Sequence, residues 1–107
     1  MTTKKTSALA MTPQIAEAVN PAWYKNFIDE MQWIDTISRK PRFRNHPDRF
    51  IAVLEVLAQK YMDRAGSKAP DMQEFSKAKW YLDYLCAFIK NSKQPILAKN
   101  VDKILRS

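Results

Sequence analysis

The chain has 107 residues, one cysteine, one glycine and a formal charge of +7, from 18 Lys and Arg against 11 Asp and Glu. That length suits one domain around one core. The lone Cys86 excludes an internal disulfide and a cysteine-built metal framework, and the lone Gly66 argues against a sheet of tight hairpins. The expected fold is all-α, a compact single-domain bundle of four to five helices with mainly antiparallel neighbours.

Residues 1–12 are small and polar and read as a flexible N-terminal tail, leaving residues 13–107 as one helical domain. The tail lacks an apolar stretch of signal-peptide length. No run approaches the ~18 apolar residues of a membrane span. A cytoplasmic, reducing environment is the expectation, with no membrane partner.

Thr12-Pro13 carries a cap and first-turn signal for a short helix through Val19. Asn20-Pro21 repeats it and opens a longer helix to about Ser38. At 100° per residue, Trp23, Phe27, Met31, Ile34 and Ser38 align, with Tyr24 and Ile37 flanking and Asp29, Glu30 and Asp35 toward the start or outside the stripe. Pro41 ends it. A third helix begins at Pro47, with Phe50, Leu54, Leu57, Ala58, Tyr61 and Ala65 on one side, widened by Ile51, Val53 and Met62. Gly66 suits the left-handed position that closes it.

Asp71 and Glu74 form a capping-box spacing for a fourth helix to about Asn91, which would bury Phe75, Ala78, Leu82, Leu85 and Ile89. Gln94-Pro95 opens a last short helix with Leu97, Val101 and Ile104 aligned.

The positive charge is concentrated. Arg39, Lys40, Arg42, Arg44 and Arg49 stand against Asp48 alone. Lys90, Lys93, Lys99, Lys103 and Arg106 stand against Asp102 alone. Apart from Lys4 and Lys5, the remainder is slightly acidic. Short connections favour antiparallel neighbours, which brings the end of the second helix, the start of the third and the end of the fourth to one pole.

Arg39, Lys40, Arg42, Phe43, Arg44, Arg49, Lys90 and Lys93 are therefore the candidate anion-binding residues. Guanidinium groups on either side of Phe43 suit phosphate contacts with packing or base stacking. The competing reading is helix complementation at C-termini, which accounts for Arg39, Lys40, Lys90 and Lys93 but not for Arg42, Arg44 or Arg49.

Trp80 and Tyr84 point away from the expected core stripe of the fourth helix, and Trp33 lies off that of the second. They are candidate protein-interface anchors. The alternative is that the fourth helix is wrapped on both sides.

Catalysis has little to stand on. His46, in the basic loop, and Cys86, expected on the core side, make no nucleophile–base pair. All-helical nucleotide pyrophosphohydrolases hold magnesium with Glu-x-x-Glu and Glu-x-x-Asp pairs. Here Ala58 follows Glu55 and Lys77 follows Glu74, so Glu55, Glu74 and Asp83 read as solvated. There is no glycine-rich phosphate loop or zinc spacing. The expectation is a small, non-enzymatic regulatory protein without metal or cofactor. It would engage nucleic acid, a nucleic-acid enzyme complex or another acidic protein surface. The alternative is an adaptor or inhibitor docking on a partner protein, or on a second copy, through its aromatic face. A metal-dependent nucleotide hydrolase comes last.

Overall fold

The computed structural model describes residues 21–67 and 70–107. The tail over residues 1–12 and the Thr12–Val19 helix lie outside the described residues, as do the side chains of Trp23 and Tyr24. The chain folds as helices α1 (Pro21–Ser38), α2 (Pro41–Arg44), α3 (Pro47–Arg64), α4 (Asp71–Lys90) and α5 (Val101–Arg106), with a 3₁₀ turn at Ala98–Asn100 before α5. Among the described residues there is no strand, and the protein is an all-α bundle. No helix among them is long and apolar enough to cross a membrane.

Prolines set the starts. Pro41 and Pro47 each occupy a first helical turn, where the missing amide costs nothing. Lys40, held extended before Pro41 as the proline ring requires, separates α1 from α2. Gly66 takes φ +79° just beyond α3, the left-handed closing position expected of it. The capping box at the start of α4 does not form: Asp71 is already helical, Pro70 precedes it and no side chain caps the turn. The last helix starts later than Pro95, because Leu97 is extended.

The contacts give the topology. Phe27 meets Trp80, Glu30 meets Tyr81 and Asp35 meets Tyr84, so α1 runs parallel to α4. Phe50 meets Phe88, Tyr61 stacks on Tyr81 and Arg64 pairs with Glu74, so α3 is antiparallel to both. The stripes of α1 (Phe27, Met31, Ile34, Ser38) and α3 (Phe50, Leu54, Ala58, Tyr61) are buried as expected.

In α4 the expected burial holds for Ala78 and in part for Leu85, which is half-buried against the core, and is reversed for the rest. Trp80, Tyr81, Tyr84, Ala87 and Phe88 are buried with Ala78, whereas Phe75, Leu82 and Ile89 are exposed. The reason is polar. This helix is apolar on two sides, and only the aromatic side carries hydroxyls that meet carboxylates of α1. Tyr61 Oη donates to Glu30 at 2.7–2.8 Å, and Tyr81 Oη donates to the same carboxylate. Tyr84 Oη lies 2.8 Å from Asp35 Oδ1 and 3.0 Å from the Ile96 carbonyl.

Candidate functional site

The basic pole is assembled from three chain segments. At the end of α1, Ser38 Oγ donates to the Asp35 carbonyl at 2.7 Å, and Arg39 Nη1 donates to the same oxygen at 2.6 Å. Both bonds fall on one of the carbonyls that a helix C-terminus leaves open. The single turn of α2 then sets Phe43 edge-on to Phe50, with ring centroids 6.3 Å apart. Phe43 is half-buried by this contact, and its neighbours Arg42 and Arg44 are exposed. Phe43 thus serves chiefly as the apolar root of the loop, not as a free stacking platform. His46 precedes Pro47, and its carbonyl accepts from the Arg49 amide at 2.9 Å.

The third segment follows α4. Ser92 and Lys93 both take positive φ, 62° and 58°, and the Lys93 amide reaches back to the Phe88 carbonyl at 2.9 Å. This tight reversal points Lys93 at the start of α3, with Nζ 3.6 Å from Asp48 Oδ1. Both side chains are well exposed, so the pair adds little stability. As a measure of position it is informative: two segments over 40 residues apart in sequence meet here.

Not all the expected cations are available. Lys93 faces Asp48, and Lys90 Nζ donates to the backbone oxygens of Leu105 and Ser107. Arg39 spends one donor on Asp35 and lines a cleft of about 360 Å³ with Asn91, Ile96, Leu97, Lys103 and Ile104. Lys40, Arg42, Arg44 and Arg49 are exposed and form no ion pair among the described residues. Lys40 and Arg42 border a second, open cleft of about 520 Å³ with Pro41 and Phe43. Lys103 was not singled out in the sequence, since its approach to Arg39 depends on how the last segment folds back.

The aromatic candidates separate. Trp33 is half-exposed on α1, but Trp80 and Tyr84 are completely buried, so neither offers a contact surface in this fold. Rings of Phe27, Tyr81 and Tyr84 enclose Trp80, whose Nε1 has no hydrogen-bond partner among the described residues. Two further expectations are corrected by the same rotation of α4. Cys86 is exposed, not buried. Glu74 is only 1 % exposed and pairs with Arg64 Nε at 2.8 Å, so it is not solvated.

The interior polar groups carry perturbed acidities. Burial pushes the Asp35 carboxyl up, against the opposing pull of Tyr84, the Ala98 amide and Arg39. Burial, reinforced by the carboxylates they face, pushes up the hydroxyls of Tyr61, Tyr81 and Tyr84. Lys77 lies 4.6 Å over the Tyr61 ring, and burial pulls its ammonium down despite Glu30 and Glu74 nearby. These groups join helices to one another, and none opens into the two clefts. Among the described residues no group of three His, Cys, Asp or Glu is placed to hold a metal ion.

What the pole offers chemically is a cluster of water-facing cations around a half-buried aromatic root. No protein-family model matches this chain, and no curated protein or solved structure matches it either.

Proposed function

We propose that this is a small binding protein whose basic pole engages the phosphate backbone of nucleic acid by charge neutralisation, without reading base sequence. The observation that carries the reading is the set Lys40, Arg42, Arg44 and Arg49: four exposed cations on one loop and the adjoining helix start, without carboxylate partners among the described residues. Helix complementation gives no reason for Arg49, in the first turn of α3, and only a weak one for Arg42 and Arg44, which the sequence left without a helix and which lie in the single turn of α2. Arg39 and Lys93 extend the patch, while Lys90 supports the last segment. With Trp80 and Tyr84 inside the core, docking on a partner protein through those two side chains loses its anchors, and no residue is assigned a catalytic role.

Four neutralised phosphates imply a log K against log salt slope of about −2.8 on single strands and about −3.6 on duplex. Between 50 and 200 mM salt, that slope corresponds to a loss of about 50- to 150-fold in affinity. Fluorescence anisotropy with a labelled oligonucleotide of each kind measures both quantities. Arg42→Ala with Arg44→Ala should weaken binding to unrelated sequences alike and flatten the slope by about 1.4–1.8. An unchanged slope in the double variant, or no binding by the wild type at low salt, refutes the proposal.

A further inference from the structure

The outer face of α4 is the largest feature that the basic pole leaves unexplained. Met72, Phe75, Leu82 and Ile89 are 57, 50, 40 and 48 % exposed. With exposed Lys79 and Cys86 they form the series 72, 75, 79, 82, 86, 89. That is the alternating three-and-four spacing of heptad a and d positions, with one lysine in the seam. At 100° per residue the six fall within an arc of about 100°, opposite Trp80, Tyr84 and Phe88. The seam is about 26 Å long at the helical rise of 1.5 Å. Solvated apolar surface of this regularity is a contact surface.

We infer that this face pairs with the same face of a second copy, the two α4 helices running antiparallel about a two-fold axis between residues 80 and 81. Charge selects both the partner and the direction. The only ionic groups at the centre of the face are Lys79 and Asp83, already 2.8 Å apart within the helix. An antiparallel partner places its Asp83 opposite residue 78, beside Lys79, and its Lys79 beside Asp83, so the pair closes again across the axis. The same register sets Met72 against Ile89 of the partner subunit and Phe75 against Cys86 of the partner subunit.

Parallel pairing would do the opposite. It would stack two basic poles at one end, although each copy carries +7. Antiparallel pairing separates the two Lys90 positions by about 28 Å along the axis, more than three Debye lengths at the roughly 8 Å of physiological salt. The lysine within the seam fits its known effect of fixing register at some cost in stability.

The test uses the full chain and its single cysteine. Sedimentation velocity over a concentration series should show a monomer–dimer equilibrium that persists at high salt. Leu82→Lys should weaken it by at least about tenfold, because in this register residue 82 faces Lys79 of the partner subunit and two like charges would meet at both symmetry-related contacts of the seam. In the antiparallel register the two Cys86 positions are about 16 Å apart, well beyond the Cα separation of about 7 Å that a disulfide tolerates. Mild oxidation should therefore leave the wild type unlinked, whereas Phe75→Cys should link to Cys86 of the partner subunit. Met72→Cys with Ile89→Cys, in a Cys86→Ser background, reports the same register independently. A chain that stays monomeric at every concentration, a dimer indifferent to Leu82→Lys, or a wild type that oxidises to a Cys86–Cys86 dimer overturns the inference. A dimer in which neither cysteine design links does the same.

Discussion

Asp35 is the residue through which the fold holds the basic pole in shape. Its Oδ1 accepts from Tyr84 Oη at 2.8 Å and from the Ala98 amide at 2.9 Å, so one oxygen ties α1 to α4 and to the turn before α5. Asp35→Ala removes that oxygen. Hydrogen bonds to a charged acceptor contribute about 1.5–3 kcal/mol each. Tyr84 retains the Ile96 carbonyl at 3.0 Å, and Asp35 is only half-buried, so water recovers part of the loss. The expected destabilisation is therefore about 2–3 kcal/mol, or a fall in Tm of about 10–20 °C for a domain of this size.

Asp35→Asn is the informative contrast, because its single carbonyl oxygen can accept both bonds. Burial holds the Asp35 carboxyl above its ordinary 3.8. The folded state thus binds this proton more tightly than the unfolded state does. The stability it contributes is complete below the ordinary value and falls as pH rises through the higher folded value. Asparagine has no proton to lose, so Asp35→Asn should gain on the wild type between pH 3 and pH 7 and be at least as stable at neutrality. Urea unfolding of the three proteins at both pH values measures this. If asparagine is as damaging as alanine, or if its relative stability improves toward acid, the assigned role of Oδ1 is wrong.

Arg64→Ala strands the buried Glu74 and should cost about 2–3 kcal/mol, below the roughly 3–5 kcal/mol of a fully buried pair because Arg64 itself is partly exposed; adding Glu74→Gln should restore most of it in denaturant melts. Gly66→Ala should lose about 1 kcal/mol through its positive φ, since the Asp71 carboxylate 2.7 Å from a new Cβ can swing aside. Ser92→Gly should gain up to about 1 kcal/mol by relieving φ +62°. Tyr61, Tyr81 and Tyr84 are all held above the ordinary 10.0. Their neutral forms stabilise the fold below that value, and the contribution is lost as pH rises through their folded values. Ultraviolet titration should therefore show them ionising together with unfolding, and reversible ionisation near 10 in the folded protein would contradict the hydroxyl–carboxylate contacts.

How legible the fold was in the sequence differs helix by helix. For α1 and α3 a single apolar stripe left one possible inner face, and Pro41, Pro47 and Gly66 marked their ends through steric rules that hold in any context. The meeting of Lys93 with the start of α3 followed from connectivity alone. In α4 two apolar stripes compete at nearly equal hydrophobicity, and periodicity cannot rank them. The decision rests on Glu30 and Asp35, which lie off the apolar stripe of α1 with no visible role until Tyr81 and Tyr84 are brought against them. Counting apolar side chains favoured Phe75, Leu82 and Ile89. Counting satisfied polar partners favours the side that is buried, because a phenol needs a partner inside and a carboxylate beside the core needs donors. The corrections at Trp80, Tyr84 and Cys86 follow from this one rotation. Glu74 turns inward with it because Arg64 waits at the end of α3.

The same rotation gives the molecule two surfaces of opposite character on one helix. Buried tyrosines on the inner face of α4 fix its angle against α1 and α3, and with it the height at which Lys93 emerges beside Asp48. The outer face is left apolar and nearly neutral, as suits the proposed contact between two strongly basic copies. The antiparallel arrangement sends the two poles to opposite ends, about 28 Å apart by the helical rise. That distance is of the same order as the 34–36 Å of one duplex turn. The two proposed roles, neutralising phosphates and pairing through α4, therefore draw on different residues. Salt weakens the first through released counterions but does not weaken an apolar seam, and it screens the repulsion between two copies of charge +7, so opposite salt responses would separate the two proposed activities in one preparation.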